Sequence, residues 1–438
     1  MSFSLQFNPF TYSPPEAETA CLHATTMNSF KILSFKLLFL MLWLPAAASD
    51  RSGLIVGLDT IPRRVSADNP SLAAARWKIA EAEARLRGAG LRENPELEFG
   101  FDQASSLQER GLEIGISQRF PVTEKLGLEK RVSSTLVQQA KAEIQEVERA
   151  LILEARTLII EIISLRHQQA LRARQAEVAQ SLGGFIAEAA SRGELSSLDA
   201  AQAKLDAAKL KAEIPTLRAA EITATGKVKP LLGMEPTDTL RIAGQQLAAP
   251  ALQKGRVNLA NRPAYQASLF AAQASAENIE LQKARRYDDI ELGVVAGYER
   301  FEDAPEGLEN EATIGFRVKL ALPFWQKNEA AIEEAQARTN RKTLESQALA
   351  KEIINEAEAA YQEMTTWAGL LQELDQSLLA EAGKLASDSE DAYRKGLGDL
   401  QATLRAREQQ LDLSNTRIET LKQFHLARVR YEAAAGLN

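Results

Sequence analysis

Residues 112–126 read LEIGISQRFPVTEKL. Leu112, Ile114, Ile116 and Phe120 alternate with Glu113, Gly115, Ser117 and Arg119, the period of a strand with two unlike faces. At Pro121 the period changes, and from there to Gly193, a span of about 72 residues, almost nothing would stop a helix. At 1.5 Å per residue such a helix reaches roughly 108 Å, several times the ~30 Å hydrocarbon core of a bilayer. It reads as a structural arm rather than a membrane span.

The chain makes this strand-then-arm pattern twice. Asn69-Pro70 opens an alanine-rich helix and Arg262-Pro263 opens its counterpart, an offset of 193 that still holds at Leu97-Glu98-Phe99-Gly100 against Ile290-Glu291-Leu292-Gly293. At Pro121 against Pro323 the offset has become 202, so nine extra residues are expected within 300–311, as a longer loop. At Gly193 against Gly396 it is 203, so the two arms agree within one residue. Agreement at this many positions marks an internal duplication. The expected layout is a first repeat over 49–230, with a β-hairpin at 94–120, a long helix at 121–192, a tip at 192–199 and a return helix. An equatorial linker follows at 231–262. The second repeat covers 263–438, with a hairpin at 288–322, a long helix at 323–395, a tip at 394–400 and a return helix.

Four strands of about ten residues follow from the alternation, a length that suits a tilted transmembrane strand. Leu97, Phe99, Phe101, Ile290, Leu292, Val294, Ile314, Phe316, Val318 and Leu320 fall on one face. Glu96, Glu98, Glu113, Arg119, Glu291, Arg317 and Lys319 fall on the other, as a wet lumen requires. A soluble antiparallel sheet with one covered face shows the same alternation. No separate set of elements remains here to cover the apolar face, and Phe120, Tyr287, Phe324 and Trp325 sit at strand ends, where a barrel carries its aromatic girdle. Four strands cannot close a barrel and lipid tolerates no open edge, so the barrel must be shared among copies.

Composition agrees with long helices: glycine and proline are sparse for 438 residues, and alanine, glutamate, lysine, arginine and leucine dominate long windows. A net charge of −7 gives no basic footprint for nucleic acid. From Met27 the chain reads MNSFKILSFKLLFLMLWLPAAASD. Lys31 and Lys36, an apolar run from Leu37 to Leu44, and Ala46 and Ala48 make a signal peptide over 27–48, with 1–26 as an upstream extension. The single cysteine, Cys21, precedes it, so no disulfide or thiolate metal site is expected in the mature chain.

Ile144, Val147, Leu151, Leu158, Ile162 and Leu165 on the first arm show coiled-coil spacing, as do Leu404, Leu411, Ile418 and Leu421 on the helix that returns from the second. Each arm ends at a tip. Arg192-Gly193-Glu194-Leu195-Ser196 supplies a left-handed glycine and then an N-cap serine, with Asp199 three residues on. Arg394-Lys395-Gly396-Leu397-Gly398-Asp399 repeats the pattern with Asp399 as cap. Gly183-Gly184 and Gly383 lie inside the arms near the tips, where a glycine costs roughly 0.5–1 kcal/mol and eases bending.

Taken together, these residues resemble the outer-membrane efflux proteins of the TolC type, from about Asn69 to the C-terminus. Asn94-Pro95-Glu96-Leu97 and the run from Leu322 to Ala330, LPFWQKNEA, look most like the branch that works with heavy-metal cation exporters of the cobalt-zinc-cadmium and copper type. The resemblance implies a mainly α fold with a transmembrane β part. A homotrimer would share a 12-stranded barrel, continued by a periplasmic α-helical barrel. It also implies a periplasmic adaptor that meets the tips and an inner-membrane pump behind it. By position, docking falls to Arg192, Gly193, Glu194, Leu195, Ser196, Lys395, Gly396, Leu397 and Asp399. Some relatives carry an acidic ring after the second tip, but here those places hold residues such as Ala402 and Arg405. Asp199, Asp388 and Asp391 are the remaining candidates for a periplasmic mouth.

No phosphate loop, nucleophile elbow or His/Cys cluster is present, so neither an enzyme nor a bound cofactor or metal is expected. His167 and His425 read as ordinary surface or seam positions rather than metal ligands. A drug or protein export duct of the same fold is the alternative within this class. A soluble periplasmic coiled-coil adaptor is the alternative outside it, although an adaptor would carry one helical hairpin where this chain has two.

Overall fold

A computed structural model describes residues 55–437 apart from 106, 107, 245, 304 and 306. The expected extension at 1–26, Cys21 and the signal peptide at 27–48 lie outside the described residues. In chain order the elements are β1 (Ile55–Val56), α1 (Ile61–Asp68), α2 (Pro70–Gly88), β2 (Glu96–Gln103), β3 (Arg110–Phe120), α3 (Lys125–Ser191), α4 (Ser197–Leu231) and β4 (Arg241–Ile242). After a short 3₁₀ turn come α5 (Pro263–Ala284), β5 (Ile290–Asp303), β6 (Gly307–Lys319), α6 (Glu329–Glu373), a π turn (Leu374–Leu378), α7 (Leu379–Arg394) and α8 (Leu400–Ala435).

Local chemistry sets the boundaries. Asn69 accepts a hydrogen bond from the Leu72 amide at 2.8 Å and Pro70 fills the first helical position, so α2 starts there. Between β6 and α6, Pro323 and the left-handed Asn328 (φ 57°) hold the chain out of helix for several residues, so α6 begins later than the alternation alone suggests. The 3.6-residue period then buries one stripe of each long helix. Ile159, Ile162, Val228 and Leu232 pack with α1 and the β1–β4 pair, while Met364, Leu371, Phe424 and Tyr431 join α6 to α8. Alanines such as Ala155, Ala357 and Ala427 are fully buried within these stripes.

The four longer strands form one antiparallel sheet in the order β2-β3-β5-β6, so both outer edges belong to different repeats. Rows cross it in strict register: Leu97, Ile116, Val294 and Phe316 align, as do Phe99, Ile114, Ala296 and Ile314. The nine extra residues of the second repeat do not make a longer loop. They extend the ladder instead: β5 runs 14 residues and β6 13, paired out to Asp303 opposite Gly307, against 8 and 11 in β2 and β3. Backbone pairing satisfies polar groups that a long loop would leave to water.

Candidate functional site

Two places hold side chains whose arrangement exceeds what packing requires. The first is the sheet. Its apolar face is bare, with Phe99, Phe316 and Val318 at 69%, 84% and 69% exposure and no helix lying over them. Water-facing surface of this kind is rare outside interaction sites. Phe324 and Trp325 meet edge to face just beyond β6, Trp325 standing almost fully out from the chain.

The opposite face carries the seven charged residues singled out from the alternation, and the structure brings them together. Arg119 lies 3.2 Å from Glu93, 3.6 Å from Glu96 and 3.4 Å from Glu291. Lys319 reaches Glu291 at 3.7 Å. Arg317 spans Glu98 at 3.3 Å and Glu113 at 3.0 Å, linking β6 across to β2 and β3. Glu93 precedes β2 and lies outside the alternation, so only the fold places it beside Arg119.

The second place is the pair of helix tips. Gly193 (φ 77°) and Gly396 (φ 72°) both adopt the left-handed conformation. The Glu194 amide donates to the Ala189 carbonyl and the Gly193 amide to Ala190. The Leu397 amide donates to Ala392 and the Gly396 amide to Tyr393, so the same Schellman turn is built twice. Ser196 accepts from the Leu198 amide and Asp399 from the Ala402 amide, both at 3.1 Å. Arg192 pairs with Glu188 and Glu194. Leu195 tucks against a small core of Leu182, Ile186, Ala203, Tyr393 and Leu400 that joins the two hairpins, whereas Leu397 and Leu198 stand 81% and 73% exposed. Lys395 is exposed beside them.

The three acids expected at a mouth fall on two helices. Asp388 and Asp391 are exposed on α7, while Asp199 faces Tyr393 on the other hairpin. Burial, with that carboxylate beside it, pushes the Tyr393 phenol up. The carboxylate between them, Glu390, is occupied: Arg394 holds it at 2.8 Å and Arg407 closes on its other oxygen. Among the described residues no group of three His, Cys, Asp or Glu side chains is placed to hold a metal ion, and no helix is long and apolar enough to cross a membrane. His425 is buried against Phe424 with Nε2 2.9 Å from the Ala248 carbonyl, and burial lowers its pKa.

No protein-family profile matches the sequence and no curated protein matches it. Solved structures do. One reported as CusC, described in terms of folding and transmembrane channel formation, superposes with a TM-score of 0.73 at 14% identity, covering 86% of this chain and 91% of that one. The outer-membrane channel OprN gives 0.72 at 16% identity, over 86% and 89%. The outer membrane protein VceC from Vibrio cholerae gives 0.71 at 17%, over 86% and 96%. This chain has the fold of these outer-membrane channels.

Within the channel fold, the bare strand face, the charged strand face and the two glycine tips occupy one continuous chain path, each sheet strand leading toward or away from a long helix. Features that sequence reasoning missed lie on the helices: the π turn at Leu374–Leu378, Pro215 inside α4, and the Arg407–Glu390 pair. The first left a trace in the change of offset from 202 to 203, and Pro215 is visible as a helix breaker within a helical run.

Proposed function

We propose that three copies of this chain form a passive exit duct in the outer membrane, the last part of a tripartite efflux system. The observation that carries this reading is the two-faced sheet with both edges open. Four strands from each of three copies make a closed 12-stranded barrel in which every edge is paired. The bare apolar rows then meet acyl chains, and Glu96, Glu98, Glu113, Arg119, Glu291, Arg317 and Lys319 line a water-filled lumen. Phe324 and Trp325 sit at the membrane interface. The helices continue the conduit into the periplasm, reaching roughly 100 Å at 1.5 Å per residue for the 67 residues of α3.

In this reading a periplasmic adaptor docks on the tips through Arg192, Gly193, Glu194, Leu195, Ser196, Lys395, Gly396, Leu397 and Asp399, and an inner-membrane pump delivers the cargo. Asp199, Asp388 and Asp391 border the periplasmic mouth. The duct binds no cofactor and performs no chemistry; selection rests with the pump. Heavy-metal cations are the proposed cargo, on the strength of the Asn94–Leu97 and Leu322–Ala330 runs. A strain lacking the chain tests this: hypersensitivity to zinc, cadmium, cobalt or copper salts is expected. Hypersensitivity to drugs alone, or a secretion defect, would reassign the cargo and leave the duct standing.

A further inference from the structure

The two repeats are not perfect copies along their arms. Buried positions in the upper arms match at an offset of 202: Ile144 with Ser346, Ala155 with Ala357, Leu158 with Ala360, Ile162 with Met364. The tips match at 203, both at Gly193 with Gly396 and at the caps Ser196 with Asp399. One extra residue therefore lies between Met364 and Gly396. The π turn absorbs it: the Leu379 amide donates to the Leu374 carbonyl, five residues back, so the helix widens for one turn and the faces below keep their partners.

Subtracting 203 from the π turn leads to 171–175 on α3, and α3 is unbroken there. The break in the first hairpin is instead on its returning helix. Pro215 sits inside α4 without an amide hydrogen, which deprives the Lys211 carbonyl of its helical donor. The two defects lie at one level. Arg172 on α3 pairs with Glu213 on α4 at 2.7 Å, two residues from Pro215. Asp375, inside the π turn, pairs with Arg417 on α8, with Nη2 to Oδ2 at 3.1 Å. At this offset Asp375 is the counterpart of Arg172 and Arg417 that of Ile214, the neighbour of Glu213, so an ion pair of reversed polarity spans the second hairpin one residue further along its returning helix. A cavity of about 630 Å³ flanks this level between the hairpins, lined by Arg172, Glu213, Thr216, Trp367, Leu370 and Asn415. Arg172 Nη1 and Nη2 lie 3.1 and 2.6 Å from the Asn415 side-chain oxygen, with its amide oriented to accept, which ties one hairpin to the other.

We propose that this level is a flexible waist at which the tip-ward ends of both hairpins bend as one body relative to the rest of the helices. A missing helical hydrogen bond in one hairpin and a widened turn in the other are the usual sources of helix bending. The flanking cavity leaves room for side chains to shift, since tight packing is what resists such motion. Below the waist the shared core of Leu182, Ile186, Ala203, Tyr393 and Leu400 keeps the two ends together. The glycines Gly183, Gly184 and Gly383 lie in this lower body, inside α3 and α7, away from the bend. The waist does not depend on the duct reading, since it concerns the helices alone.

The test uses the full chain in detergent, with Cys21→Ser and nitroxide labels at Lys351→Cys and Ser387→Cys, exposed positions on either side of the waist. A straightened variant combines Pro215→Ala with deletion of the exposed Gln376, which returns the arms to equal length without turning the faces below. The unmodified chain is expected to give a distance distribution about twice as wide as the straightened one, since its last turns sample several bends. Equal widths would overturn the proposal. Should the straightened chain fail to fold, amide exchange of the unmodified protein decides. Residues 374–380 and 212–218 are expected to exchange roughly tenfold faster than 355–365, and uniform protection across all three would overturn it.

Discussion

Arg119, at the end of the first repeat's second strand, lies 3.4 Å from Glu291 at the start of the second repeat's first strand. The contact joins the repeats on the charged face of the sheet, and Lys319 extends it to the outer strand. Exposed pairs of this kind contribute at most ~1 kcal/mol, so in the proposed duct their weight is in the potential they set within its lumen and not in stability.

Replacing Arg119, Arg317 and Lys319 together by glutamine is expected to leave assembly intact and to make the pore more selective for cations. Reversal potentials in planar bilayers under a salt gradient measure this, with Glu98→Gln plus Glu113→Gln shifting the opposite way. An unchanged reversal potential in both variants would remove these residues from the lumen.

The apolar face makes the complementary demand. In the proposed barrel, Phe316→Arg places a charge among acyl chains at a cost of ~2–4 kcal/mol near the bilayer midplane. Thr313→Arg lies on the other face of the same strand, opposite Gly297. The first is expected to deplete assembled protein in outer-membrane extracts and the second to spare it, as read by heat-modifiable migration on gels. Equal depletion would mean that both faces are packed alike.

At the tips, Gly193→Ala and Gly396→Ala test backbone conformation alone, because an added Cβ at either position meets nothing within 4 Å. Each costs about 1–2 kcal/mol for a left-handed non-glycine residue. The double variant is expected to keep its barrel yet lose export, with adaptor cross-linking reduced. Export at full rate would show that tip shape is immaterial.

Glu390 gives the tip region a pH dependence. Burial by itself would raise this carboxyl, but hydrogen bonds from Arg407 and Arg394 outweigh it and hold the group below its ordinary 4.5. A depressed folded value means the stabilisation is complete above 4.5 and is lost as pH falls through the folded value. Protection of the α7 amides, corrected for intrinsic exchange at each pH, is therefore expected to fall as pH drops below 4.5 in the parent and much less in Glu390→Gln. A Glu390→Gln profile identical to the parent would assign the change to other groups.

Much of this architecture was legible in the residues. Strict alternation from Leu112 to Phe120 and from Ile314 to Leu322 identifies strands because a one-residue slip would invert their faces. Glycines at 193 and 396 identify the tips because other residues rarely adopt positive φ. The longer second hairpin reads as a loop in sequence because Pro305 and Gly307 look like loop residues, although they sit at the turn of an extended ladder. The π turn was invisible in position, since an arm rich in helix formers absorbs one extra residue anywhere along its length. Val147 has seam spacing yet is 37% exposed, for periodicity assigns a stripe and not its partner. Asp199 beside Tyr393 and Glu390 beside Arg407 depend on which helices meet, which spacing within one helix cannot report.

Labelling of single cysteines in native outer membranes puts the two faces of β6 to the test side by side. Phe316→Cys is expected to react with a lipid-soluble maleimide and resist a membrane-impermeant one, while its neighbour Arg317→Cys shows the reverse. Equal reaction of both positions with the impermeant reagent, in protein recovered from the soluble periplasmic fraction, would contradict a lipid-facing sheet.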